Sequence, residues 1–234
     1  MQIDTPTAII SPSTVEQLLG AQVHQDMRWV EHILESDKSL VKALNLRLGA
    51  LKKVSCIASF KTRKTIANVI FMSKVIYLMP LWSGCEEYLV KCLQVAQNKA
   101  ARTVARMNIF TPTKTLMKAC GWMSVRQLLA YHSLVLLHKT MASQTPVYLY
   151  QKITSGGHFQ YKTRQAAACP PGFSFTVSHP ADIGTIRHGS GTKLDISKQG
   201  WCWKSVELYN TLPTDLRLER KKRLKDWIKL NIST

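Results

Sequence analysis

The sequence predicts a mainly α-helical protein with a small N-terminal β-hairpin and a loop-rich tail that carries short strands and two helices. Strand-like patterns are confined to residues 7–23 and 173–177. Gly and Pro gather between residues 150 and 200, where no helical period persists. Apolar residues recur at helical spacing over four segments, namely 38–58, 62–79, 86–107 and 124–141.

The N-terminal hairpin is predicted from two short apolar segments, TAII (7–10) and QLLGAQV (17–23). The Ser-Pro-Ser-Thr stretch between them favours a turn, because proline fixes its own backbone and the hydroxyls bond to nearby backbone groups. We therefore expect 7–10 and 17–23 to pair.

Two helices are predicted next. The first covers 38–58 with Asp37 as its N-cap. Its apolar stripe advances by three or four residues at a time through Val41, Leu44, Leu48 and Leu51. The second covers 62–79, is apolar on nearly every side, begins at Thr62 as its cap and ends at Pro80.

The helix predicted over 86–107 has one apolar and one cationic face. Leu89, Leu93, Ala100, Val104 and Met107 fall on the apolar side. At 100° per residue, a sector of about 100° on the other side holds Lys91, Asn98, Lys99, Arg102 and Arg106. These five residues are the candidate nucleic-acid-binding site, because cations in a row suit a phosphate backbone. An ordinary solvated helix face is the alternative interpretation.

Shorter helical signals follow. A helix over 114–119 ends at Gly121, and Ser124 caps a leucine-rich helix over 125–141. In the tail, FSFTV (173–177) predicts a strand. Two tail helices are predicted over 201–209 and 215–230.

Charge is the strongest compositional signal. The chain has 32 Lys and Arg against 14 Asp and Glu, a formal net charge of +18. Such an excess favours a polyanionic partner, either nucleic acid or an anionic membrane surface. A second basic patch, which fits a phosphate clamp, a nuclear-localisation signal or the outer face of a tail helix, consists of Arg220, Lys221, Lys222, Arg223 and Lys225.

The acids are distributed in a way that argues against metal-dependent catalysis. No Asp or Glu occurs from residue 88 to residue 181, where eleven Lys and Arg occur. Two-metal catalysis requires carboxylates that converge on the ions. We therefore predict no catalytic residue, no metal site and no cofactor, and interpret His132 and His138 as structural.

The cysteines and the apolar segments bear on the compartment. The six cysteines include no Cys-x-x-Cys pair, and the N-terminus has no secretory pattern, which predicts a reduced intracellular location, nuclear or cytoplasmic. The longest apolar run, 66–82, contains Asn68 and Lys74 and ends near Pro80. We predict a buried helix there and no membrane span.

Several segments occur in an order typical of a known family. They are YLMPLWSG (77–84), LQVAQNKAARTVARM (93–107), LMKACGWMSVRQLL (116–129), EQLLGAQVHQDMRWVEHI (16–33) and ELYNTLPTDLR (207–217). Together they resemble the part of a non-LTR retrotransposon (LINE, jockey-like) reverse transcriptase that follows the catalytic palm. Tyr209 stands where that family's tail usually has Trp.

The resemblance implies four regions. Residues 1–25 would end the palm, 26–149 would form a helical thumb-like domain, 150–200 a loop-rich insert, and 201–234 a helical tail. Thumb helices of reverse transcriptases lie along the template–primer backbone, so the expected partner is RNA, DNA or their hybrid, without sequence preference. The catalytic carboxylates of the family precede these segments, so we expect a non-catalytic fragment of an RNA-directed DNA polymerase.

One rival interpretation comes from another functional class. The chain would then be a basic helical scaffold or interaction module for an acidic protein or an anionic membrane, including a repurposed or decayed transposon fragment. RNA-versus-DNA preference and the oligomeric state stay open at the level of sequence.

Overall fold

The structure is a computed structural model that describes residues 3–4, 9–10, 13–26, 28–155, 175–177, 186–187, 193–194, 201–213 and 221–232. It is mainly helical with a small antiparallel hairpin near the N-terminus, which confirms the predicted fold class. The chain divides into two compact units. Unit 1 comprises residues 1–78 and 85–120, and unit 2 comprises residues 79–84 and 121–234.

The strands near the N-terminus form two antiparallel pairs. Strand β1 (Ile3–Asp4) pairs with β2 (Ile9–Ile10), and β3 (Val15–Leu18) pairs with β4 (Ala21–His24). The predicted pairing of 7–10 with 17–23 is therefore wrong, because 17–23 folds back on itself. The turn at Leu19 and Gly20 has positive φ at both residues, 50° and 80°, the geometry that suits a two-residue hairpin.

The described part of unit 1 contains five α-helices and two π-helical turns. A π-helical turn, Glu31–Glu35, precedes α1. The helices are α1 (Leu40–Ser55), α2 (Phe60–Ala67), α3 (Ser73–Ile76), α4 (Glu87–Ala105) and α5 (Thr113–Cys120). A second π-helical turn, Asn68–Met72, joins α2 to α3 without a break.

The core of unit 1 contains the predicted apolar stripes. In α1, Leu44, Leu48 and Leu51 are buried together with Leu40, whereas the predicted Val41 is half-buried. On the apolar face predicted for α4, Leu89, Leu93, Ala100 and Val104 have no exposed surface, whereas Met107 is half-buried beyond the end of the helix. These stripes confirm the helical periods, since burial of one face supplies most of a helix's stability in a protein.

Two predicted N-caps are wrong by a few residues. The N-cap of α1 is Ser39, and Asp37 instead forms an ion pair with Lys42 at 3.2 Å. The N-cap of α2 is Ser59, whose side chain accepts a hydrogen bond from the backbone N–H of Thr62. Both sites offer several neighbouring polar residues, so spacing alone does not select the cap.

Unit 2 is organised around helix α6 (Val125–Ser143). Ser124 and Gln127 form a capping box at its start, which confirms Ser124 as the cap. The remaining elements are α7 (Val147–Lys152), β5 (Ile153–Ser155), β6 (Phe175–Val177), β7 (Ile186–Arg187), β8 (Lys193–Leu194), α8 (Trp201–Asn210) and α9 (Lys221–Asn231). Strand β5 pairs with β6, and β7 pairs with β8, both antiparallel.

The helices of unit 2 pack through leucine and isoleucine. Leu134 of α6 forms a buried cluster with Leu224 and Ile228 of α9 and with Leu212. Gln127 also donates its Nε2–H to the carbonyl oxygen of Ile232 at 2.9 Å, which fixes the end of α9 to the start of α6.

Only some of the elements predicted for the tail fall on residues that the structure describes. Helix α8 confirms 201–209, and the strand predicted over 173–177 is seen at 175–177. The helix predicted from 215 is seen from 221, and residues 214–220 lie outside the described residues, as does most of the loop-rich insert 150–200. In the part of the chain that the structure describes, no helix is long and apolar enough to cross a membrane.

Candidate nucleic-acid interface

Helices α1 and α4 run side by side in the same direction. At their starts, Tyr88 lies close enough to Glu35 for the Glu35 carboxylate to affect the pKa of Tyr88. The pKa of Tyr88 is raised, first by partial desolvation and then by the carboxylates of Glu86 and Glu35. At their ends, Arg106 Nη2 donates to the carbonyl oxygens of Ser55 at 2.7 Å and Cys56 at 3.0 Å. The 19 residues of α4 separate the two ends by about 28 Å.

The acids of this region are confined to one of these two ends. No acid occurs in residues 38–85 or 88–120. The acids nearest the helices, Glu35, Asp37, Glu86 and Glu87, therefore all lie where α1 and α4 begin. We name the opposite region the basic end, which consists of Lys52, Lys53, Lys61, Lys99, Arg102 and Arg106. All six are exposed except Arg102, which is half-buried.

Four of the five predicted site residues lie on one solvent-facing sector of α4. Lys91, Lys99 and Arg106 are exposed, and Arg102 is half-buried. Lys91 lies one helical turn after Glu87, so it is close to the acidic start of the helix. Only Lys99, Arg102 and Arg106 belong to the basic end.

The fifth predicted residue, Asn98, faces α5 rather than solvent. It is 9% exposed. Its Nδ2–H donates to Thr113 Oγ1 at 2.8 Å, and its Oδ1 accepts from Gln94 Nε2 at 2.9 Å. Asn98 therefore holds the start of α5 against α4. It lies at the border of the cationic sector, and the packing of α5 on that border is a tertiary feature that helical spacing does not reveal.

The two arginines of the predicted site also stabilise the basic end. Arg106 adopts the left-handed conformation, φ 54°, as the C-cap of α4. Its contact with Ser55 and Cys56 places a guanidinium at the negative end of the α1 dipole. Arg102 Nη2 donates to the carbonyl oxygen of Thr111 at 3.4 Å, while its buried Nε has no hydrogen-bond partner among the described atoms.

Sequence reasoning missed Arg63, a buried residue beneath this surface. It is 6% exposed. Its Nε–H donates to the carbonyl oxygen of Val104 at 2.9 Å and its Nη1–H to that of Ala58 at 2.6 Å. The available signal was a single arginine within the helix predicted over 62–79, most of which is apolar.

The basic end also presents apolar side chains, which the sequence analysis did not single out. Ile57, in the loop between α1 and α2, is 93% exposed. In the loop between α4 and α5, Phe110 is 88% and Ile109 is 70% exposed. The signal was a pair of large apolar residues in a short segment between two helices. Ile57 follows the two residues whose carbonyl oxygens bond to Arg106, and Ile109 and Phe110 follow Arg106 in the chain.

The predicted second basic patch lies on α9 in unit 2. Arg220 is outside the described residues, and of Lys221 and Lys222 only the helical backbone is described. Arg223 and Lys225 are exposed. Lys225 Nζ lies 5.2 Å from the centre of the Tyr131 ring, a cation–π contact. The two described members therefore flank the buried Leu224 on α9 and are exposed on either side of it.

Burial shifts the pKa of three further titratable groups. Burial raises the pKa of the Cys120 thiol. Burial lowers the pKa of His32 and of His132, and a lysine lowers each further. In these ranges no group of three or more His, Cys, Asp or Glu could hold a metal ion.

Comparison with family models, curated proteins and solved structures finds no match to this chain. The resemblance to the non-LTR reverse transcriptases stays a prediction that rests on the segments quoted above.

Proposed function

We propose that the chain binds the phosphate backbone of nucleic acid through the basic end of unit 1, without sequence preference. The observation that carries this proposal is the separation of charge along α1 and α4. Because the acids near both helices lie at one end, no acid interrupts the cationic surface at the other end. Such a surface supplies the electrostatic part of nucleic-acid binding.

The lysines of the basic end are the main contacts in this proposal. Lys52, Lys53, Lys61 and Lys99 are exposed, whereas Arg102 and Arg106 already donate to backbone carbonyl oxygens. With three to four phosphates neutralised, the logarithm of the affinity for duplex DNA should fall against the logarithm of the salt concentration with a slope of about −3 to −4.

The resemblance to non-LTR reverse transcriptases gives this binding a context. In that context α4 would lie along a template–primer, and the chain would be a non-catalytic part of an RNA-directed DNA polymerase. The proposal of backbone binding does not depend on that family assignment, because it follows from the charges and their placement.

The test compares two variants that lose the same net charge. The first replaces Lys53, Lys61 and Lys99 of the basic end with Gln. The control replaces Lys139, Lys204 and Lys229, three exposed lysines of unit 2, with Gln. Affinity for a fluorescent duplex is measured by anisotropy over a salt series, and circular dichroism verifies the helical content of both variants.

We expect the basic-end variant to flatten the salt slope by about 2 to 3 and to weaken binding to all sequences alike. The control should keep the wild-type slope. Equal losses in the two variants would show that net charge alone is responsible. The scaffold interpretation, with an acidic protein or an anionic membrane as partner, would then replace this proposal.

A further inference from the structure

We infer that Phe110 stacks on an unpaired base, so that the basic end prefers single strands and single-strand junctions to continuous duplex. This inference rests on the proposed function and names its substrate class. Proteins that bind single strands commonly place aromatic side chains beside cations. The cations contact the phosphates, and the rings stack on the faces of unpaired bases. In a continuous duplex the base faces are already stacked.

The loop that carries Phe110 is held in place by hydrogen bonds. The backbone N–H of Phe110 donates to Asn108 Oδ1 at 3.3 Å, and that of Thr111 donates to the Asn108 carbonyl oxygen at 3.1 Å. Arg102 Nη2 reaches the carbonyl oxygen of Thr111 from α4. A ring held out at 88% exposure by a braced loop loses little conformational freedom on binding.

Cations of the basic end lie in the chain segments next to the Phe110 loop. Arg106 lies four residues before Phe110 and bonds to Ser55 and Cys56, so it joins the two loops of the basic end. Lys52 and Lys53 come just before the first loop, and Lys61 comes just after it. A strand whose base stacks on Phe110 would therefore meet these cations with its backbone.

The arrangement of charge favours a strand over an anionic membrane. On α4, the cations of the basic end extend from Arg106 back to Lys99, about 10 Å along the helix axis. A membrane plane that met the loops would leave Lys99 uncovered, whereas an extended strand can follow the helix to it.

The test replaces Phe110 with Leu, which keeps an apolar side chain and removes the ring. Tyr148→Leu is the matched control, an exposed aromatic residue in unit 2. The probes are a thymidine oligonucleotide, a blunt duplex of the same length, and vesicles with and without phosphatidylserine. Phe110→Leu should weaken oligonucleotide binding by about 5- to 100-fold, while duplex affinity and the salt slope stay at wild-type values. Tyr148→Leu should change none of them.

A second variant gives a positive signal. Phe110→Trp should retain oligonucleotide binding, and its added fluorescence should be quenched by the oligonucleotide more than by the blunt duplex. Equal quenching by both, or an equal loss of both affinities in Phe110→Leu, would overturn the stacking role and leave backbone binding intact. Loss of vesicle binding alone in Phe110→Leu would assign the loop to a membrane. Wild-type protein that binds neither nucleic acid would contradict the proposed function as well.

Discussion

The buried guanidinium of Arg63 donates its Nε–H to the carbonyl oxygen of Val104, at 2.9 Å. Val104 lies in the last turn of α4, whose carbonyl groups have no partner within the helix. Through Nη1 the same side chain also bonds to Ala58, in the loop that follows α1. One buried cation thus fixes three chain segments beneath a surface made of exposed cations.

Replacing Arg63 with Met should destabilise the protein by about 2 to 4 kcal/mol, because two carbonyl oxygens lose a charged donor. Urea unfolding measures the change. Lys61→Met, on the exposed side of the same helix, should stay within about 0.5 kcal/mol of wild type. A loss below about 1 kcal/mol for Arg63→Met would show that these hydrogen bonds do not hold the basic end.

Asn98→Ala should lower stability by about 1 to 2 kcal/mol without weakening nucleic-acid binding. The side chain joins Gln94 to Thr113 and has little surface to offer a ligand. Unfolding midpoints and anisotropy on the same preparation separate the two effects. A selective loss of affinity would restore Asn98 to the binding site that the sequence predicts.

Leu93→Ala should cost about 2 to 5 kcal/mol, since Leu93 has no exposed surface and its truncation leaves a cavity. Val95, two residues further on, is 52% exposed and provides the matched control on the other face of α4. Val95→Ala should leave the unfolding midpoint nearly unchanged. Similar losses of stability in Leu93→Ala and Val95→Ala would contradict the assignment of the buried and exposed faces of α4.

Stability should fall as the pH drops below about 6.5, in part because of His32. Burial and then Lys74 lower its pKa, and its Nδ1 accepts a hydrogen bond from the backbone N–H of Gln22 at 3.3 Å. The folded state therefore favours the neutral ring. This contribution is complete above the unfolded pKa and is lost as the pH falls toward the lower folded pKa, by less than about 1.4 kcal/mol per pH unit.

The variant His32→Asn isolates this effect, because Asn keeps an acceptor and cannot be protonated. Urea midpoints at pH 7.5 and 5.5 should differ less in the variant than in wild type. His132 has a pKa lowered in the same way and remains in both proteins, so the difference between them reports His32. Identical pH dependence of stability in wild type and His32→Asn would exclude a contribution from His32.

Helical spacing predicted α1, α4 and α6 because their stability comes from burying one continuous face. The stripe through Leu44, Leu48 and Leu51 and the capping box at Ser124 depend on near neighbours in the chain, which the sequence shows. The partner of strand β2 is β1, which lies only a few residues earlier in the chain and which the sequence analysis did not predict as a strand. Both the Ser-Pro-Ser-Thr stretch (11–14) and the pair Leu19 and Gly20 are candidate turns, and local propensity did not show which of them closes the hairpin.

The candidate site was less predictable than the helix that carries it. The cationic sector of α4 was found from spacing, but the contact of Asn98 with α5 and that of Arg63 with Val104 join residues 15 and 41 positions apart. The exposure of Phe110 also depends on how two loops meet at Arg106. Such contacts are set by tertiary packing, which composition and periodicity do not encode locally.

Protection of Cys56 tests the central claim most directly, because it locates the bound ligand without altering a cation. Of the four cysteines whose burial the structure describes, Cys56 is the exposed one, and its carbonyl oxygen accepts a hydrogen bond from Arg106 within the basic end. Cys92 is half-buried near the start of α4 and serves as the internal control. Alkylation of each thiol is followed by peptide mass spectrometry with and without a saturating oligonucleotide.

The alkylation rate of Cys56 should fall in proportion to the fraction of protein bound, while that of Cys92 stays constant. A rate at Cys56 that is the same in free and saturated protein would contradict binding at the basic end.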